Sequence, residues 1–225
     1  MSADTRYRRL PVLLTIGIVL IITTACVLMA FVLTPGLATT TELVTRIAFI
    51  EQHTHIWQWG WVSWMASSLS LLLFCLLLLD YIPAHPLKYF AITVVALGVV
   101  PDISAEILFA FALPKFVDQP VLYVLLEQIA QLLTGIFANG AYCLGGLILN
   151  LLLLRNKILP RTLLLFGIPS WLIGFGLSYA VIIDNMTLAV PFTAIAMVWN
   201  VVWIFLIGVF VFPRPDKYEV RAHAR

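Results

Sequence analysis

Two long apolar runs without a single charge, residues 11–33 and 57–79, limit this chain more than any other feature. About 20 mostly apolar residues make a helix long enough to cross the roughly 30 Å hydrocarbon layer of a bilayer. Four further stretches qualify: residues 89–113, 130–154, 162–183 and 188–212. The alternating pattern of a membrane β-barrel is absent, and helices are the other structure that satisfies every backbone group inside lipid. The expected fold is therefore all-α: a polytopic transmembrane helical bundle of six spans, forming one domain over residues 1–225. Composition agrees. The chain is 62% hydrophobic and 11% charged, against roughly 25% charged in soluble domains. That excludes a soluble enzyme, a disordered chain and a secreted disulfide scaffold. A net charge of +2 with scattered basic residues provides no nucleic-acid footprint.

Basic residues set the expected orientation, because Lys and Arg collect on the cytoplasmic side. An even number of spans places both termini together. Arg6, Arg8, Arg9, Lys88, Arg155, Lys157, Arg161, Arg214, Lys217, Arg221 and Arg225 fall on that side; Arg46 and Lys115 fall on the other. Both termini are thus expected in the cytoplasm, with the chain in the inner (plasma) membrane. The first apolar run exceeds the about 7–15 residues of a signal peptide, so it reads as a retained span. The stretch 121–154 is too long for one crossing. It reads as one long helix with a polar start, or as a short interfacial helix followed by the span 130–154. Residues 34–56 form the one long connection. Leu43, Ile47 and Ile50 recur there at helical spacing, which predicts a short helix on the outer surface. Asn185-Met186-Thr187 fits a glycosylation sequon, but it lies in a tight turn close to the membrane.

Ionisable residues inside a span are functional candidates by default. Asp102 and Glu106 are four apart and share a helix face. At 1.5 Å per residue from position 89, they sit about 20 and 26 Å along the third span, past its middle. Pro101 directly precedes them. The residue before a proline resists helical geometry, so a break at Val99-Val100-Pro101 is expected. Two carboxyls on one face in a low dielectric disfavour double ionisation. One is expected to keep a proton, which suits a donor or relay.

Glu51, His53 and His55 share a face only in an extended segment. Three readings stand: a zinc-type ligand set, proton transfer by His53, and interfacial histidines. No metal is expected, and His53 is carried as an acid–base candidate. Trp57, Trp61 and Trp64 share a face and read as an interfacial belt or as the wall of a ligand site. Glu127, Asn139, Tyr142, Asn200 and Trp203 add polar or aromatic groups from other spans. Polar groups scattered against lipid are disfavoured, so an outward-opening cavity is expected. Asp102, Glu106, Glu127 and His53 are its catalytic candidates. Trp57, Trp61, Trp64, Asn139, Tyr142, Asn200 and Trp203 are its substrate-binding candidates. Cys26, Cys75 and Cys143 offer neither a disulfide framework nor metal spacing. No lysine sits mid-span, no histidine pair faces the centre, and no nucleotide-binding motif occurs; no cofactor is expected.

The segments His55-Ile56-Trp57-Gln58-Trp59-Gly60-Trp61 and Ala138-Asn139-Gly140-Ala141-Tyr142-Cys143 resemble bacterial multi-pass membrane proteins, a likeness that implies no particular activity. In residue type alone, the acid, histidine and aromatic set is similar to small integral-membrane isomerases of the sterol-isomerase type and to membrane terpene cyclases. That similarity implies protonation of an apolar substrate by a buried carboxylic acid, with aromatic rings steadying the cation. The expected partners are the lipid bilayer and a lipophilic small molecule. Two alternatives remain: a subunit that meets another membrane protein or its own copy, and a small proton-coupled transporter.

Overall fold

The computed structural model describes residues 3–37, 42–157 and 159–213, with side chains from residue 10 onward. Its helices are α1 (Ala3–Val27), α2 (Leu43–Gln52), α3 (Thr54–Leu78), α4 (Pro86–Ile107), α5 (Pro120–Leu132), α6 (Asn139–Asn156), α7 (Arg161–Ile182) and α8 (Met186–Phe210). No strand occurs among the described residues. Six rods are long and apolar enough to cross a membrane: Leu10–Val32, Thr54–Tyr81, Pro86–Lys115, Pro120–Asn156, Arg161–Ile182 and Met186–Phe210. Five match expected spans to within a few residues. The bundle's exterior is apolar, with Leu13, Leu20, Leu97, Val100, Phe137 and Val198 all more than half exposed. Soluble monomers rarely expose apolar surface on this scale. Helix length and surface together point to a membrane protein. The basic tail (Arg214, Lys217, Arg221, Arg225) and the side chains of Arg6, Arg8 and Arg9 lie outside the described part.

Because these rods are apolar on nearly every face, hydrophobic periodicity does not choose which side is buried. Small and polar residues do. A Cβ on Gly145 of α6 would lie 2.6 Å from the Ala91 carbonyl oxygen of α4. A Cβ on Gly98 of α4 would lie 3.0 Å from the Tyr142 ring. Backbone approach at these two glycines seats α4 directly on α6 and brings Tyr142 up to Asp102. Around this contact, one apolar cluster joins α1, α3, α4, α6, α7 and α8 through Phe74, Leu149, Trp171, Trp203 and Ile204. A second lies at the α2 end and contains Leu33, Ile50, Trp57, Trp61, Phe109 and Tyr123.

Two expectations are corrected. The third span does not break at Pro101; α4 runs through it to Ile107. A proline removes one N–H, and packed neighbours let an intramembrane helix tolerate the loss. Of the two readings of 121–154, the single long helix is the one found: the rod is continuous from Pro120 to Asn156, with a π-helical turn at Leu133–Ala138 linking α5 to α6. Glu51, His53 and His55 do not share an extended face. Glu51 ends α2, His53 is a single non-helical residue (φ −127°, ψ 33°), and His55 belongs to α3. The helix expected between positions 34 and 56 is present as α2, but it buries Arg46 and Ile50; residues 38–41 lie outside the described part. Asn185 of the sequon caps α8, its Oδ1 accepting the Leu188 N–H at 3.1 Å.

Overpacking a close backbone contact costs about 1–3 kcal/mol or more. Gly145→Val is expected to lower the thermal midpoint in detergent accordingly. Gly17→Ala has nothing within 4 Å of the added carbon, so it is expected to be neutral or to stabilise by up to about 1 kcal/mol through helix propensity. Melting both variants beside the parent chain checks the assignment.

A buried carboxyl pair and its hydroxyl donors

Asp102 and Glu106 project from one face of α4 into the bundle, 3% and 0% exposed. Three hydroxyls from two rods reach Asp102. Thr134, in the π turn, donates to Oδ1 at 2.6 Å. Tyr142 of α6 donates to Oδ2 at 3.0 Å. Ser68 of α3 donates to Oδ2 at 2.6 Å. The same Ser68 oxygen lies 3.2 Å from Glu106 Oε1. The other Glu106 oxygen, Oε2, is buried with no partner. No Lys, Arg or His pairs with either acid among the described residues.

The proton inventory is short by one. Three hydroxyls carry three protons, but four oxygen–oxygen contacts need filling. A proton on Glu106 supplies the fourth: Glu106 donates to Ser68, Ser68 to Asp102, and Thr134 and Tyr142 also donate to Asp102. This arrangement keeps a single negative charge, on the carboxylate with three donors. A second uncompensated charge in the same dry space would cost several kcal/mol.

The local backbone prepares the site. A π turn leaves carbonyls outside the regular ladder, and such turns recur at functional sites. One follows Glu106 at Leu108–Ala112. Its Phe109 carbonyl accepts the Trp57 indole N–H at 2.6 Å. In the π turn at Leu133–Ala138, the Gly135 carbonyl accepts from Ser178 at 2.8 Å. Trp61 stacks on Phe109 at 4.1 Å, with the rings within 7° of parallel. Phe109 is three residues beyond Glu106, so this aromatic pair sits next to the acids on the side toward α2.

The expected cavity residues therefore divide. Asp102, Glu106 and Tyr142 come together, with Trp61 and Trp57 one layer above. Trp64 is half-buried, and its carbonyl accepts from Ser68 at 3.2 Å. Glu127 is not part of the pair; it is buried against Arg46 of α2. Asn139 ties α6 to α7, donating to Gly174 at 2.6 Å and Ser178 at 2.8 Å. Trp203 is fully buried in the other apolar cluster and donates to the Leu163 carbonyl at 2.9 Å. Asn200 is half-buried and joins no site hydrogen bond. His53 is exposed and tilts against Phe49 at 5.0 Å. His/Cys/Asp/Glu groups suited to a metal are absent among the described residues.

Ser68, Thr134 and Arg46 are site residues that motif reading passes over. Each had a signal. Ser68 stands in the hydroxyl cluster Ser67-Ser68-Leu69-Ser70 of an otherwise apolar span. Thr134 sits eight residues before Tyr142 on the same rod. Arg46 is one of two basic residues at the acid-bearing level. Comparison with protein-family models, curated proteins and solved structures finds no match, so no relative's activity is carried over.

Two outcomes follow from the partner assignments. Tyr142→Phe removes one donor from a buried carboxylate and is expected to cost about 1.5–3 kcal/mol, read as a lower midpoint in chemical or thermal unfolding. Arg46→Met alone leaves Glu127 buried and unpaired, at about 3–5 kcal/mol. Arg46→Met with Glu127→Leu should recover most of that loss, and a double-mutant cycle measures the difference.

Proposed function

We propose that this chain is a multi-pass protein of the inner (plasma) membrane, with both termini cytoplasmic, that transfers protons to and from a lipophilic substrate. The reaction class that suits the site is isomerisation or cyclisation. One observation carries the reading: the hydrogen-bonded chain from Glu106 through Ser68 to Asp102, two buried carboxyls with no cation beside them among the described residues.

An isomerisation adds a proton to one carbon of a double bond and removes another from a neighbouring carbon. Glu106 supplies the acid. Its Oε2 has no internal partner, so that edge is free for a reacting group. The Glu106 carboxyl releases Ser68 and turns its protonated oxygen toward the substrate; as it gives that proton to carbon, the alkene electron pair forms the new C–H bond, a cation remains and Glu106 is left as carboxylate. Phe109, three residues beyond Glu106, stacks on Trp61, and aromatic rings can steady a cation through their faces. Loss of a proton from the adjacent carbon restores a double bond and reprotonates the carboxyl pair. Asp102, held by three donors, spreads the negative charge left on the pair between these steps. Hydrogen bonds to ionised groups are the strong ones, and in a water-excluded site they count for more.

A second reading, assembly with another membrane protein, draws on a wholly apolar groove between α7 and α8. Phe166, Ala194, Ile195, Val198, Trp199 and Val202 line it.

Deuterium separates the two. Membranes isolated from cells expressing the chain are incubated in deuterated water, and their extracted lipophiles are compared by mass spectrometry. Glu106→Gln and Asp102→Asn are run alongside. The enzyme reading expects one lipophile with carbon-bound deuterium in the parent strain and at least a hundredfold less in Glu106→Gln, in line with the roughly 10²–10⁴-fold contribution of a positioned acid. Equal labelling in all strains would sink it in favour of the assembly reading.

A further inference from the structure

Near the α2 end, a separate polar cluster lies above the acids. Arg46 of α2 is 8% exposed and pairs through one Nη with one Glu127 oxygen. Its Nε is buried with no partner. Tyr123, one turn before Glu127 on α5, is fully buried, and its hydroxyl also has no partner. That hydroxyl lies within electrostatic range of both Arg46 and Glu127. Two unpartnered donors thus sit beside an ion pair that is already neutral overall. Buried donors without acceptors are rare in folded proteins.

Charge balance selects what would satisfy them. A carboxylate or phosphate would add a negative charge next to Glu127 in a dry environment, which is expensive. A neutral carbonyl oxygen has two lone pairs and no charge. It can accept from the Arg46 Nε–H and the Tyr123 O–H together. We propose that Arg46 and Tyr123, held in place by Glu127, bind the carbonyl oxygen of a neutral lipophile. This deepens the proton-transfer reading and rests on it for the identity of the bound molecule as substrate. Glu127 and Thr134 are seven residues apart on one continuous rod, or about 10 Å. Thr134 touches Asp102. The substrate class is accordingly a neutral ketone or ester with its oxygen at this cluster and its double bond toward the acids. Ala105, Ala110 and Ala130 belong to the apolar cluster that includes Trp61 and Phe109; these small side chains mark where an apolar frame would pass.

The test uses the full chain in nanodiscs and native mass spectrometry. Three probes of equal chain length are compared: a long-chain methyl ketone, the fatty acid and the alkane. The ketone is expected to bind best. Tyr123→Phe removes one hydrogen bond, so it should weaken the ketone about 2–10-fold and leave the alkane unchanged. Its fold should be intact, because the lost hydroxyl has no partner inside the protein. Equal binding of ketone and alkane would overturn the proposal, as would an unchanged ketone affinity in Tyr123→Phe. Preference for the fatty acid would overturn the choice of a neutral acceptor. The Asp102→Asn/Glu106→Gln double variant keeps the two readings apart. Ketone binding retained there, without deuterium transfer in either chain, would uphold the oxygen site and reject the acid chemistry. Deuterium transfer without ketone preference would do the reverse.

Discussion

A carboxylate cannot be left bare in a helical bundle that excludes water. Asp102 is buried without a cation, so its charge has to be met by hydroxyls, and no single helix carries three in reach. Ser68, Thr134 and Tyr142 come from α3, from the π turn between α5 and α6, and from α6. Satisfying one side chain therefore fixes the placement of two rods, α3 and the continuous rod Pro120–Asn156, around α4. The glycine contacts at positions 98 and 145 are the steric counterpart of the same requirement. They let α4 and α6 approach until a tyrosine hydroxyl can reach the acid.

The two π turns near the acids have the same origin. A regular helix keeps its carbonyls to itself, and an apolar neighbour has no use for them. Here Trp57 and Ser178 each reach a carbonyl in a π turn. These contacts anchor α3 to α4 and α7 to the central rod without adding charge. They also leave the acid pair between two stretches of altered helix, one just after Glu106 and one containing Thr134. A third π turn, Leu28–Val32, ends the apolar first rod, so such turns are not confined to the acids, but two of them flank the pair.

The bundle holds two buried acidic stations of different character. Glu127 is neutralised by Arg46 and ties α2 to the central rod. Asp102 and Glu106 are linked through Ser68 and have no such partner among the described residues. Removing a partner from either is costly for the same reason, desolvation. Only the second arrangement leaves a carboxyl edge uncommitted. The division of labour follows: a structural pair that also orients free donors, and a proton-holding pair beside stacked aromatics.

Apolar run length by itself determined that the chain is helical and how many rods can cross a membrane, because those depend on counting residues against a fixed thickness. The pairing of Asp102 with Glu106 was equally legible, since a spacing of four repeats on any helix. Their donors were not. Ser68 and Thr134 lie 34 and 32 residues from Asp102 in sequence, and rods apolar all round give no periodicity to say which face meets which. Glu127, Asn139 and Trp203 were assigned to a shared cavity by their level along the spans. Level is a coordinate along one axis, whereas rotation about that axis decides contact. The fold turned Glu127 to Arg46, Asn139 to Ser178 and Trp203 to Leu163. Pro101 went the same way: local propensity argued for a break, and α4 runs through it, held by packing between rods. What tertiary structure alone decided was which polar groups meet, because inside a water-free bundle each must find a partner on another helix.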